Sequence, residues 1–202
     1  MSADASAASV GGRREATKRA NRQAILDAGR AVFSTVGFDA ATVRDVVRES
    51  GLSPGTFYNY FPDKDSVFRV LVGDFLAALR PAVREARATA ETPEAFVEGA
   101  FRVVVEALYG DPAMLALIGR SSSAFRAHVL GGAELPGLFA ELRDDMGAAV
   151  ERGLLPAFDV ELMTAAMIGA ALEVCILAAA SGRAPAEVAT FLGQLFLAAL
   201  RP

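Results

Sequence analysis

Between Gly51 and Pro62 the chain carries no acidic residue. Within that stretch Thr56, Tyr58, Asn59 and Tyr60 supply hydroxyls, an amide and aromatic rings in little more than one helical turn. Phe57 and Phe61, at i and i+4, can anchor the opposite face in a core, and Gly55 lets another backbone come close. Small donors and aromatics, with no carboxylate to repel phosphate, suit the major groove of DNA. The same residues also fit a capped surface helix with spare aromatics, so the surrounding elements must decide between the two.

Those elements can be read from their caps. Thr42 is placed as an N-cap, and Asp45 sits where a capping-box carboxylate reaches back. Val43, Val46 and Val47 fall at helical spacing, which leaves Arg44 and Arg48 off the apolar face. Gly51 is suited to stop that helix, because glycine takes a positive φ without steric cost. Ser53-Pro54 then restarts one, with Ser as N-cap and Pro at the first helical position. Helix, tight glycine turn, helix is the helix-turn-helix layout. A further helix opens at Asp63 as N-cap, with Lys64 just inside.

Three runs, Thr42-Val43-Arg44-Asp45, Gly51 through Tyr58, and Tyr60-Phe61-Pro62-Asp63-Lys64, together resemble the DNA-binding domain of the TetR family of bacterial transcriptional regulators. The family pattern is roughly T-V-R-D-I-A, G-V-S-x-G-T-[LF]-Y-x-[HY]-F and x-x-K. Departures are small: Val46-Val47 for I-A, and Leu52 for V. The resemblance is close over about residues 20 to 70 and rests elsewhere on length, helix count and layout. It implies that Thr42, Ser53, Tyr58, Tyr60 and Lys64 meet phosphates. It also places Arg44, Gly55, Thr56 and Asn59 nearest base edges, with Pro54 and the Thr56 methyl available to a thymine methyl. Asn59 falls at the variable position of the motif.

Charge is divided unevenly along the 202 residues. Residues 1–72 hold ten Lys and Arg against eight Asp and Glu; residues 73–202 hold ten against sixteen, within a net charge of −4. The basic excess lies in the first part, as a two-domain DNA binder needs. The single cysteine, Cys175, excludes an internal disulfide or a cysteine metal cluster, and the single histidine, His128, excludes a multi-histidine site. No nucleophile–base pair presents itself, which argues against an enzyme. His128 and Cys175 read as surface or satisfied residues. No secretory h-region follows Met1, so the chain reads as cytoplasmic. The apolar run from Val160 to Ala180 is interrupted by Glu161 and Glu173, which favours a buried helix over a membrane span.

The architecture expected is all-α. Residues 1–16 read as a disordered arm ending in a basic cluster of Arg13, Arg14, Lys18 and Arg19, which either adds phosphate contacts or serves as a solubilising tail. Residues 17–62 form a three-helix DNA-binding domain. Its first helix, from Glu15 or Thr17 to Thr35, buries Ile25, Ala28, Gly29, Val32, Phe33 and Val36. Residues 63–202 form a helical ligand-binding and dimerisation domain, entered by a connecting helix over 63–81 that Pro81 ends or kinks. Breaks are expected at Gly110-Asp111-Pro112, Ser121–Ser123, Gly131-Gly132, Gly153 and Ser181-Gly182. An amphipathic helix from Pro136 to Arg152 buries Leu138, Phe139, Leu142, Met146 and Val150.

Two features of the second half bear on function. The helices at about 159–180 and 184–200 are apolar beyond one face, so the domain core or another subunit must cover them; the resemblance implies a homodimer built on these helices. Phe75, Phe96, Phe101, Met114, Phe125, Met146, Met163 and Met167 are bulky, soft residues spread over the middle helices, and family members bind small molecules among such helices. Glu173 lies between Leu172 and Val174 and needs a partner, either structural or a ligand. The resemblance implies a repressor released from a palindromic operator in double-stranded DNA by a small apolar effector, with no membrane association. A protein-controlled regulator or activator, and an all-helical enzyme or carrier, are the competing readings.

Overall fold

The computed structural model describes the backbone of residues 4–130 and 136–200, and the side chains of 13–128 and 139–200. The described residues form ten helices: α1 (Asp4–Val36), α2 (Val43–Ser50), α3 (Pro54–Tyr58), α4 (Lys64–Ala88), α5 (Pro93–Gly110), α6 (Pro112–Arg120), α7 (Ser122–Leu130), α8 (Pro136–Glu151), α9 (Val160–Ala180) and α10 (Pro185–Ala199). The all-α expectation holds. The expected break at Gly131-Gly132 and the place of Leu138 lie outside the described residues.

Local sequence sets most boundaries. Thr42 caps α2 in a complete capping box with Asp45, and Gly51 ends it at φ 66°. The Ser53 side chain accepts from the Thr56 amide, with Pro54 opening α3. Asp63 caps α4 by accepting from the Ser66 amide. Thr92, Asp111 and Asp159 cap α5, α6 and α9 in the same way. Each cap satisfies an amide that the first turn of a helix leaves without an internal partner.

Two boundaries differ from expectation. α1 begins at Asp4, so residues 4–16, read as an arm, continue the first helix; its early alanines favour helix even beside Gly11 and Gly12. Pro81 neither ends α4 nor marks its last turn, because the helix runs through it to Ala88. Pro81 and Ala77 are both exposed, so the carbonyl that loses its partner at Ala77 faces water.

A continuous apolar cluster joins the first helices to the rest. Ile25, Leu26, Phe33, Val46, Phe57, Phe61, Val67 and Phe68 close α1–α3 against the start of α4. Val36, expected on the buried stripe, is 51 % exposed, because the chain turns away there at Gly37. Further along, α5 packs between α4 and α10, and α6 lies along α1.

α9 is covered on one side only. Met167, Ala171, Leu172, Cys175 and Ala178 face the core, while Leu162 and Leu177 stand out at 69 % and 70 % exposed. The expected buried helix is therefore half bare within one chain. Glu173 lies on that outer side and pairs with Arg126 at 2.6 Å, with both side chains more than half exposed. Its carboxylate is thus neither buried nor short of a partner.

Candidate nucleic-acid interface and cavity

α3 is a single helical turn pinned from behind. Phe57 is fully buried and Phe61 nearly so, with ring centroids 6.2 Å apart. The opposite side presents Ser53, Pro54, Gly55, Tyr58 and Asn59 to solvent, and Tyr58 is 58 % exposed. Thr56 and Tyr60 are half-buried at its edge. Gly55 has no internal reason to be glycine: a Cβ there would meet only the Ser53 hydroxyl, at 3.9 Å. Its smallness matters to whatever approaches from outside.

Polar groups around α3 divide into free and engaged. The side chains of Arg44, Tyr58 and Asn59 make no hydrogen bond to the described residues. Ser53 Oγ and Thr56 Oγ1 lie 2.8 Å apart, so one hydroxyl hydrogen is shared between them and the other is free. Thr42 differs, because its amide and hydroxyl both donate to Asp45 Oδ2, at 3.0 and 2.6 Å. These bonds, the hydroxyl's first, and then Arg48, hold the Asp45 carboxyl below its usual value.

Lys64 is placed otherwise than the motif implies. Its Nζ donates to the carbonyls of Phe38 at 2.6 Å, Ala41 at 2.8 Å and Asp39 at 3.4 Å, and lies 4.4 Å from the centre of the Phe38 ring. All three ammonium hydrogens therefore have acceptors within the chain. The ammonium fastens the α1–α2 turn to the first turn of α4, where it cannot donate to a phosphate without leaving those carbonyls. Spacing along the sequence could not show this, because the partners lie 23 to 26 residues away.

The same turn docks on the second half of the chain. The Phe38 amide donates to Ser121 Oγ at 2.9 Å, and Ser123 donates to Asp39 at 3.2 Å. Gly37, at φ 80°, leaves no room for a Cβ, which would stand 2.6 Å from the Arg120 carbonyl oxygen. Arg30 pairs with Asp111, and His128 Nε2 lies 3.3 Å from Asp65. His128 Nδ1 faces the Ala124 carbonyl at 2.7 Å.

Behind this junction lies a cavity of about 100 Å³ between α4, α5 and α9, bordered by α6, α7 and α8. Four expected residues line it: Phe75, Phe101, Phe125 and Met167. Phe96, Met114 and Met146 are core residues elsewhere; Met146 is fully buried, with the Thr164 hydroxyl 3.6 Å from its sulfur. Met163 is half-buried outside the lining, and Glu173 is on the outer side of α9. Cys175 is a packing residue whose thiol burial pushes up to about 11.

Sequence reading missed one lining residue of a different kind, Arg87. The signal was present: Leu76, Leu79, Val83 and Arg87 continue one helical stripe, so a charge stands on an apolar face. Ending the helix at Pro81 hid it.

Comparison with known proteins places this arrangement. Residues 25–71 match the profile of bacterial regulatory proteins of the tetR family. Over 52 residues the chain is 46 % identical to the uncharacterized HTH-type transcriptional regulator YfiR of Bacillus subtilis (strain 168), a match spanning 25 % of each chain. The whole fold is similar to that of the fatty acid degradation regulator FadR from Bacillus halodurans, with a TM-score of 0.73 at 20 % identity, over 90 % of this chain and 96 % of that one. It is also similar to the transcriptional regulator FadR from Bacillus subtilis in complex with stearoyl-CoA, with a TM-score of 0.70 at 17 % identity, over 86 % and 96 %. The helix-turn-helix motif and the matching profile agree that residues 25–71 carry the DNA-binding domain of the tetR family of bacterial regulatory proteins, and the all-helical fold of the chain is similar to that of the two FadR regulators.

Proposed function

We propose that this chain is a ligand-responsive, DNA-binding transcriptional repressor that acts as a homodimer and is released from a palindromic operator by an apolar small molecule. The observation that carries the reading is the outer face of α3, where Gly55 leaves the backbone open between free donors and the segment from Gly51 to Pro62 holds no carboxylate. In this reading Ser53, Tyr58 and Tyr60 meet phosphates. Arg44, Pro54, Gly55, Thr56 and Asn59 face base edges. Thr42 and Lys64 hold the head together, because their donors are engaged within the chain. Residues 17–62 form the reading head and residues 63–202 the effector and dimer body.

Dimerisation is supported by exposed apolar residues. Six large hydrophobic side chains are exposed among the described residues, and four of them, Leu162, Leu177, Phe191 and Leu195, lie on α9 and α10. α9 is long and apolar enough to cross a bilayer by length and composition. Glu161 and Glu173 on its exposed side favour a protein partner over lipid.

The effector site is the apolar cavity, and its size supports a mechanism. Ligand pockets for small molecules run to about 300–1,000 Å³, whereas this one holds about 100 Å³. A ligand must therefore widen it, and its longest wall is α4, which carries Phe75, Leu76, Leu79 and Val83 on one side and leads to the reading head. α6, α7 and Ser121 between them carry both the cavity residues Ile118 and Phe125 and, through Ser121 and Ser123, the contacts to the head. Two heads fit one operator only when their spacing matches the groove repeat of about 34–36 Å or a multiple of it. A shift of these walls changes that spacing. The neighbouring structure that holds stearoyl-CoA supports an effector with a long apolar chain.

Operator affinity, titrated with and without an apolar ligand found by thermal shift, is expected to fall about 5–150-fold with ligand present, a coupling of about 1–3 kcal/mol. DNA should weaken ligand binding by the same factor. A ligand that binds the cavity tightly and leaves operator affinity unchanged would make this a constitutive or partner-controlled regulator.

A further inference from the structure

The apolar wall of the cavity is broken at one residue. Of its sixteen lining residues only Arg87 is charged. Arg87 is 8 % exposed, and its Nη1 reaches Asp145 Oδ2 on α8 at 3.2 Å. Among the described residues that is its one acceptor, so the other donors of the guanidinium fork have no partner there. Burial pushes the guanidinium pKa below its ordinary value, while Asp145 and then Glu141 act against that shift. Seven residues earlier on α4, Arg80 Nε pairs with Glu141 Oε2 at 3.0 Å. α4 and α8 are thus tied by two ion pairs, with the cavity beside the second.

A buried ion pair is a weak device for stability alone, since apolar residues of similar volume serve as well or better. A single contact at 3.2 Å from a group built for two-pronged binding is weaker still. A cation in an otherwise apolar cavity is, however, what an amphiphile with a negative end requires. We infer that Arg87 anchors the carboxylate of the effector, an apolar chain ending in an acid, and that this carboxylate displaces Asp145. The inference rests on the effector reading above and deepens it. The chain of the ligand widens the cavity against α4, while its head group removes one of the two ties that hold α4 to α8. Asp145, whose side chain is 30 % exposed, turns to water when displaced.

The test uses a matched pair of probes, dodecanoate and 1-dodecanol, titrated into the intact chain by calorimetry below their aggregation concentrations. The wild-type chain should bind the acid about tenfold or more tightly than the alcohol, as a charge-assisted hydrogen bond predicts. Arg87→Met should remove that preference and retain alcohol binding. Asp145→Asn should tighten dodecanoate binding several-fold and leave the alcohol unchanged, because the competing carboxylate is gone; a merely structural ion pair would not produce that gain. Equal binding of acid and alcohol by wild type, or a preference that survives Arg87→Met, overturns the anchor. If Arg87→Met fails to fold, Asp145→Asn decides alone, and unchanged or weaker dodecanoate binding overturns it. Should the alcohol bind and release operator as well as the acid does, the effector reading stands and the anchor falls. Should neither probe bind, both fall.

Discussion

Phe191→Glu is expected to leave the chain folded but monomeric and to abolish tight operator binding. Phe191 and Leu195, one turn apart on α10, are 54 % and 45 % exposed in the single chain, so neither is needed to close its own core. Phe191 also lines a groove with Val174 and Leu177 on the bare side of α9. In a two-fold interface each substitution counts twice. Losing the burial of two phenylalanines costs about 3–6 kcal/mol, and two buried, unpaired carboxylates add to that. A total near 6 kcal/mol is about a 10⁴-fold weaker dimer. Sedimentation should show a dimer for the wild type at micromolar concentration and a monomer for the variant, with helical content preserved. A wild type that sediments as a monomer contradicts the assembly.

Lys64→Met is expected to lower stability and to leave the salt slope of DNA binding unchanged. The family motif implies a phosphate contact, whose loss would lower the salt dependence of DNA binding by about one unit of slope. With its ammonium on the carbonyls of Phe38 and Ala41, the substitution instead leaves two part-buried acceptors without donors and loosens the turn that leads into α2. Two charge-assisted hydrogen bonds suggest a loss of about 2–4 kcal/mol, given that the group is partly exposed. The melting temperature should fall, operator affinity should fall with it, and the salt slope should stay as it was. An unchanged melt with a slope lower by one would restore the phosphate role.

These two cases show what the residues alone could reveal. The caps at Thr42, Ser53 and Asp63 and the stop at Gly51 are legible because each depends on partners within three or four residues. The anchors Phe57 and Phe61 are legible because helical spacing separates them from the donors on α3. Lys64 was not, since its acceptors come from another helix junction. Glu173 has the arginine partner that a structural role requires, but its exposure was not legible, because α9 is apolar nearly all round and its composition does not say which side meets the core. The methionines were ambiguous for a similar reason: Met146 and Met167 are both buried, and only the packing of α4, α5 and α9 decides that Met167 meets a cavity and Met146 does not. Arg87 stood on a legible stripe, but only for a helix allowed to continue through Pro81.

If this chain reads DNA through the exposed face of α3, as a pair of heads, it should select its own operator. The most direct measurement selects duplexes from a random library with the intact chain, then titrates the selected sequence by fluorescence anisotropy over a range of salt. Palindromic sequences are expected, with two chains bound per duplex, an affinity that falls steeply and linearly on a log–log plot against salt, and loss of specific binding in Tyr58→Ala/Asn59→Ala without loss of fold. Failure to enrich any sequence, or a double variant that binds the selected duplex as tightly as the wild type, would contradict this role of α3.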